Sequence, residues 1–254
     1  MSAHKSPTVS TIALVFVILG CESRQKPTPI GTPPPSSSKE EPKTPDVDSL
    51  LAEVRREKPK NDYGVGDYKA VSELLKYVPA DHPRRGEVFK QLLEIGYGRS
   101  DPNSKDEIVR AAIRYAGKDE VPELMDIPNH GPYVNLVWSN VLARLAEIKD
   151  PSCAETVAEW IQFDVGKRHH HQRDAAKVLR AIGPPAEKSV RPYALANQPS
   201  GQPQLLETRV LAVEILGDIG DKVTIDFLDG LDGPPKFKDA VARATKAINS
   251  RTKR

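Results

Sequence analysis

Apolar residues recur at helical spacing through the C-terminal two-thirds of the chain, and they recur in register. Five candidate helices end at comparable points, here called reference positions: Gly117, Lys149, Gly183, Gly220 and Asn249. These positions are about 32, 34, 37 and 29 residues apart, within the period range of two-helix solenoid repeats. Offsets of three and four residues lie on one helical face, so columns of apolar residues at fixed offsets predict stacked helices.

Three such columns are present. One residue before each reference position the chain has Ala116, Ile148, Ile182, Ile219 and Ile248. Four residues before, it has Ile113, Leu145, Leu179, Leu216 and Thr245. Eight residues before, it has Val109, Val141, Ala175, Ala212 and Val241.

Each of the first four reference positions is followed by turn residues and then by a shorter apolar-periodic segment. These segments read KDEVPEL, KDPSCAETV, PPAEKSV and DKVTIDFL. Pro151, Pro184 and Pro185 suit a first helical turn, where the missing N–H is not needed. A helix pair of this size cannot bury its apolar stripe alone, so we expect neighbouring pairs to pack against one another.

The repeated pattern resembles HEAT-like repeats over roughly residues 104 to 250. The matching segments are Val109-Arg110…Ala116-Gly117, Asp174-Ala175-Ala176…Ile182-Gly183 and Ala212…Ile219-Gly220-Asp221. The resemblance implies an all-α fold, a right-handed α-α superhelix or short α-solenoid of about five helical pairs. Lys149 departs from the pattern, which has Gly at this point.

An atypical N-terminal cap is predicted in residues 49 to 103, ahead of the repeat domain in residues 104 to 254. Its helices are expected at Leu50 to Glu57, Tyr68 to Val78 and Arg85 to Ile95. Ser104 is the predicted N-cap of the first regular repeat, with Glu107 as its capping-box partner. The final helix, Lys238 to Asn249, is expected to close the stack with a basic, solvated face.

The N-terminus has the pattern of an exported protein. Lys5 precedes an apolar run from Val9 to Leu19, which is too short to span a bilayer and suits a signal peptide in residues 1 to 20. The run ends in Ile18-Leu19-Gly20-Cys21, which resembles a bacterial lipobox. The resemblance implies cleavage before Cys21 and acylation of that residue, and several acyl chains anchor a soluble domain stably. A plain secretory signal and an uncleaved anchor are the alternatives.

Residues 21 to 48 are rich in Pro, Ser, Lys and Glu, a composition that cannot bury enough apolar surface to fold. We expect a disordered linker that holds the folded domain on the order of 80 Å from the membrane. The expected location is extracytoplasmic, with a lipid anchor in a bacterial membrane. Glu22 replaces the Asp that retains lipoproteins at the inner membrane in the family pattern, which favours the outer membrane where two are present.

Composition narrows the class of partner. The formal net charge is +2, and aromatic residues make up 6% of the chain. A nearly neutral chain lacks the field that steers nucleic acid, and the aromatic interleaving of single-strand binders is missing, so no nucleic-acid partner is expected. We expect a monomer. If Cys21 is acylated, Cys153 has no disulfide partner within the chain, and it is predicted to be a small buried residue.

Three consecutive histidines, His169, His170 and His171, are the clearest candidates for chemistry because imidazoles bind zinc, copper and nickel. Adjacent residues on a helix point about 100° apart, so the three cannot readily meet one ion. A polar helix N-terminus or a contact surface is therefore the preferred interpretation. No nucleophile elbow, zinc-protease, phosphate-loop or paired-cysteine motif is present, so no catalytic residues and no cofactor are predicted.

Basic residues gather in the same repeat. They are Lys167, Arg168, Arg173, Lys177 and Arg180. A solvated helix face is the preferred interpretation, and a binding surface for an acidic protein or a glycan is the alternative.

These features predict a non-enzymatic scaffold that presents an elongated surface to another protein of the cell envelope. The alternative hypothesis is a metal-binding or enzymatic α-helical domain centred on His169 to His171.

Overall fold

A computed structural model describes residues 46–57, 68–130, 135–162, 171–197 and 203–253. Within these ranges the chain forms twelve α-helices and four short 3-10 helices, and it has no strand beyond an isolated bridge between Asn197 and Pro203. The predicted all-α fold is confirmed. In chain order, the α-helices are α1 Val47–Arg56, α2 Lys69–Tyr77, α3 Arg85–Tyr97, α4 Pro102–Ile113, α5 Val121–Asp126, α6 Asn135–Ile148, α7 Ala154–Glu159, α8 Gln172–Ile182, α9 Glu187–Ala194, α10 Leu206–Ile219, α11 Lys222–Asp229 and α12 Pro235–Thr252.

Four consecutive repeats share one local design. A long helix (α4, α6, α8 or α10) is followed by a tight turn and a shorter helix (α5, α7, α9 or α11). Three of these turns contain a 3-10 helix: Lys118–Glu120, Pro151–Cys153 and Pro184–Ala186. The prolines occupy the first positions of two of these 3-10 helices, as their missing N–H predicts.

Two reference positions reverse the chain through left-handed backbone. Gly183 has φ of 80°, and Lys149 has φ of 56°. Glycine adopts this conformation easily because it has no Cβ to crowd the following carbonyl. Lys149 therefore departs from the repeat in sequence but shares a positive φ with Gly183, whereas Gly117 and Gly220 have φ of −121° and −73°.

Aspartate side chains cap several of the helix starts. Asp101 Oδ1 accepts a hydrogen bond from the Ser104 amide at 2.8 Å, and Asp221 Oδ1 accepts one from the Val223 amide at 2.8 Å. The predicted N-cap at Ser104 is wrong, because α4 already begins at Pro102 and Ser104 is buried in its first turn. The Ser104 hydroxyl instead bonds the Tyr68 hydroxyl at 3.0 Å, which ties the first repeat to the cap helices.

The helices pack in two layers. The long helices follow one another in the order α3, α4, α6, α8, α10 and α12, each in contact with the next. In the other layer α7 contacts α9, and each of these short helices also contacts a long one, α8 and α10 respectively. The core lies between the layers because each amphipathic helix turns its apolar stripe towards its neighbours.

The predicted columns supply this core. Its fully buried members are Val109, Val141, Ala175, Ala212, Leu145, Leu179, Leu216, Ala116 and Ile248. The register of the first repeat differs from the prediction, since α4 ends at Ile113 and Ala116 is buried in the turn beyond it. In the last repeat, Val241 and Thr245 are only half-buried. Two of the three columns therefore lose full burial in the last repeat, whereas the third column ends in the fully buried Ile248.

Helices α10 and α12 approach closely at Gly217. A Cβ at this position would lie 2.8 Å from the Cα of Ala244. Backbone cannot move aside as a flexible side chain can, so the absence of a side chain at Gly217 sets the spacing of these two helices.

Gly217→Ala is expected to lower the free energy of unfolding by about 1–3 kcal/mol, because an added methyl group forces the α10–α12 pair apart. In thermal unfolding this corresponds to a fall in Tm of roughly 2–4 °C for each kcal/mol. Gly98→Ala is the matched control, since its Cβ would come no closer than 3.4 Å to a neighbouring atom. An equal loss of stability in both variants would contradict the close approach.

Candidate interaction surfaces

Several predicted site residues lie outside the described residues. They are Cys21, Lys167, Arg168, His169 and His170. The lipobox and most of the histidine cluster therefore stay predictions. Of the histidine cluster, the structure describes His171. Of the basic patch, it describes Arg173, Lys177 and Arg180.

His171 belongs to the packed junction of α6, α7 and α8. It is 5% exposed and lies directly before the first residue of α8. Its ring stacks on Trp138, with centroids 5.3 Å apart, and Trp138 meets Trp160 edge-on at 5.0 Å. An imidazole held against an indole in this way anchors the start of α8 to α6. In the described ranges, no group of three or more His, Cys, Asp or Glu side chains is placed to hold a metal ion.

In the basic patch, two of the three described residues are neutralised by ion pairs. Lys177 Nζ lies 2.7 Å from Asp174 Oδ1, and Arg180 Nε lies 2.5 Å from Asp218 Oδ2. Arg173 is exposed at the start of α8. Exposed ion pairs add little stability, but they cancel the local charge. The patch is therefore a weaker attractor of acidic ligands than the sequence indicates.

The neighbouring long helices are lined by similar ion pairs. Arg144 Nη1 on α6 lies 2.5 Å from Glu147 Oε2, and Arg243 Nη2 on α12 lies 3.4 Å from Glu214 Oε1 on α10. The Arg180–Asp218 pair likewise joins α8 to α10. Ion pairs between successive long helices give this face of the stack a mixed, nearly balanced charge.

A surface that sequence analysis did not identify lies at the C-terminal end of the stack. An open groove of about 920 Å³ runs along α12, from Lys238 to Lys253, beside the loop that follows α11. Gly230, which has no side chain, lines it together with the smaller residues Ala242 and Thr245. We call it the C-terminal groove. A sequence signal was present, because Thr245 interrupts the column of large aliphatic residues at its last position.

The charges along α12 are unevenly matched. Lys238 Nζ lies 3.0 Å from Asp232 Oδ1, and Arg251 donates to the carbonyls of Gly217 and Gly220 at 2.7 and 2.9 Å, where α10 ends. Lys246 and Lys253 form no ion pair with any acidic side chain that the structure describes. The C-terminal half of the groove therefore has uncompensated positive charge.

A second feature missed from sequence is an oriented histidine. His130 Nε2 lies 2.6 Å from Asp126 Oδ2. The His130 ring stacks on Tyr97 of α3 at 4.7 Å, and Lys105 of α4 donates to its carbonyl at 3.0 Å. These contacts hold the end of the α5 segment against α3 and α4, which is a structural role.

Cys153 is fully buried in the turn before α7, as predicted. Burial raises the pKa of its thiol to about 11, and the Sγ donates to the Asp150 carbonyl at 3.1 Å. A thiol with so high a pKa is protonated at neutral pH, so Cys153 is not an activated nucleophile.

Comparisons with models of protein families, with curated proteins and with solved structures find no match to this chain. Across the described ranges, no helix combines the length and the apolar character needed to cross a membrane.

The Asp126 carboxyl is expected to titrate below its ordinary value of 3.8, because hydrogen bonds from Asn129 and His130 lower its pKa. A lowered folded pKa contributes stability above the pKa of the unfolded chain, and this contribution is lost as the pH falls through the folded value. Carboxyl-carbon NMR titration should show the Asp126 pKa rising in Asn129→Ala and in His130→Ala. Asp150, whose pKa is lowered by hydrogen bonds from Ser152, is an internal control and should not change. An Asp126 titration curve that is identical in all three proteins would contradict the pairing.

Proposed function

We propose that this chain is a lipid-anchored, extracytoplasmic scaffold of HEAT-like repeats, which binds another protein of the cell envelope and performs no catalysis itself. The observation that carries the proposal is the ordered contact of successive long helices from α3 to α12. Stacking of this kind sets the exposed residues of successive repeats side by side, and such extended surfaces serve protein binding. The superhelical arrangement of the repeats is part of the proposal.

The electrostatics supports recognition of a protein over recognition of a polyanion. The long helices pair most of their exposed charges, as at Lys177–Asp174 and Arg180–Asp218. A long-range field that attracts polyphosphate needs a surface of one sign, whereas protein partners are recognised through shape and local charge. The described part of the chain fits the second requirement.

The alternative function, a metal-binding or enzymatic domain at His169 to His171, gains no support from the described residues. His171 is the member whose surroundings are known, and its ring packs on Trp138. A metal site formed by these three histidines would need the His171 imidazole as a ligand, and this ring is already buried against Trp138. We therefore do not advance this alternative.

The anchor is tested by Cys21→Ser. Acylation at Cys21 is expected to hold the full chain in the detergent phase of a Triton X-114 separation, and the variant is expected to move to the aqueous phase because the acyl chains supply the membrane affinity. Cys153→Ser is the matched control, since Cys153 is buried in the domain and should not affect partitioning. Unchanged partitioning and processing in Cys21→Ser would contradict the lipoprotein proposal.

Partner binding is tested by affinity capture of the full chain from solubilised native envelopes, with quantitative mass spectrometry. We expect one envelope protein at near-stoichiometric yield. Cys21→Ser should retain that protein in detergent extracts, because the repeats make the contact, but should lose it in cross-linking of intact cells, because the domain is no longer held at the membrane. Capture that requires the acyl chains even in detergent would indicate a lipid-mediated association and contradict the scaffold function.

A further inference from the structure

We infer that the C-terminal groove is the docking site for an amphipathic helix of the partner, one that carries an aliphatic stripe flanked by acidic residues. The inference rests on the proposed function for the existence of a protein partner. It adds the place of contact and the chemistry that this place recognises.

The groove occupies the position where another repeat would pack. Within the stack, the outer side of α10 is covered by α12, and its column residues Ala212 and Leu216 are fully buried. The equivalent residues of α12 are Val241 and Thr245, and both are only half-buried. Helix α12 thus presents a repeat-like surface without a following helix in the described structure.

One face of α12 packs against the rest of the stack, and the groove lies along another face of the same helix. Phe237, Ala240, Ala244 and Ile248 are buried where α12 packs in the stack. The groove follows the remaining face from Lys238 to Lys253. At about 1.5 Å per residue this distance is roughly 22 Å, which suits a docked helix of about four turns.

The small residues of the groove favour a helix as the occupant. Gly230 has no side chain and Ala242 has only a methyl group, so large aliphatic side chains of a partner helix can occupy the space beside them. A membrane surface makes the opposite demand, because interfacial binding requires large apolar side chains that protrude into lipid. The groove presents small residues, and none of its lining residues is a large hydrophobic residue that is exposed.

The charge of the groove selects acidic flanks on that helix. From Pro235 to the C-terminus the chain has seven Lys or Arg residues and one acidic residue, Asp239, although its overall formal charge is only +2. Asp229 and Asp232 also line the groove, and Asp232 pairs with Lys238, whereas Lys246 and Lys253 form no ion pair with an acidic side chain of the described structure. The lining residues therefore carry one more positive than negative charge. Opposite charges on the docked helix would compensate Lys246 and Lys253, and local charge complementarity of this kind also sets the orientation of docking.

The test uses the full chain carrying Cys21→Ser and a fluorescein-labelled peptide of about 16 residues with Leu at helical spacing and Glu on both flanks. Saturable binding is expected in fluorescence anisotropy. The double variant Ala242→Glu, Lys246→Glu should weaken it by about tenfold or more, because it replaces a small lining residue by a larger one and reverses the charge. The matched control is Ala143→Glu, Lys188→Glu, which makes the same changes at exposed positions of α6 and α9 and should bind as the parent does.

The control peptides separate shape from charge. A scrambled peptide of the same composition and a peptide with Lys in place of Glu should both bind at least about tenfold more weakly. Thermal unfolding of both double variants should match that of the parent, because all four substituted positions are exposed. Equal binding by groove and control variants, or no binding of the acidic peptide, would overturn the inference.

Two other occupants give distinct results, and either would overturn the inference. Light scattering that shows a dimer dissociated by Ala242→Glu would identify a second copy of the chain. Binding to phosphatidylglycerol vesicles that Lys246→Glu abolishes would identify a lipid surface.

If the captured envelope protein is retained by the groove variant, the docking site is wrong while the scaffold function stands. If no envelope protein is captured by the parent chain, the scaffold function itself fails.

Discussion

Burial of one apolar stripe on every long helix is the constraint on which this fold depends. Leu145, Leu179 and Leu216 are all fully buried, each on a different helix, because the neighbouring helices cover them. An isolated helix pair would leave much of that surface in water, so the energy of packing lies between repeats as much as within them. The fold therefore requires successive helices to approach closely. A Cβ added at Gly217 would lie 2.8 Å from the Ala244 Cα, which shows how little space separates α10 from α12.

The turns make this packing possible because they reverse the chain over very few residues. Left-handed backbone at Lys149 and Gly183 is followed in each case by a 3-10 helix with proline at its start. Proline preorganises the first turn, and the left-handed residue redirects the chain into the second layer. Local chemistry thus sets where each short helix begins, and the apolar columns set what it packs against.

Charge is arranged differently in the middle of the stack and at its end. Successive long helices exchange ion pairs, as Arg180 of α8 does with Asp218 of α10 and Glu214 of α10 does with Arg243 of α12. On the other face of α12, Lys246 and Lys253 form no ion pair in the described structure. Val241 and Thr245, which line the same groove, are only half-buried. The C-terminal groove therefore combines small residues with a small excess of positive charge.

The sequence by itself determined the all-α class, the repeated alternation of long and short helices, and the burial of Cys153, because periodicity, turn residues and polarity act locally. It also located the core columns, apart from the first repeat, where the helix ends at Ile113 and the turn contributes Ala116.

Only the tertiary structure decided which charged and aromatic residues meet. The pairing of Arg180 with Asp218, the stacking of His171 on Trp138 and the contact of His130 with Tyr97 all join residues that lie more than thirty positions apart. Such contacts depend on how whole helices are placed, and helical periodicity carries no information about partners at that distance. The C-terminal groove is tertiary for the same reason, since an open face exists only relative to the helices that cover its neighbours.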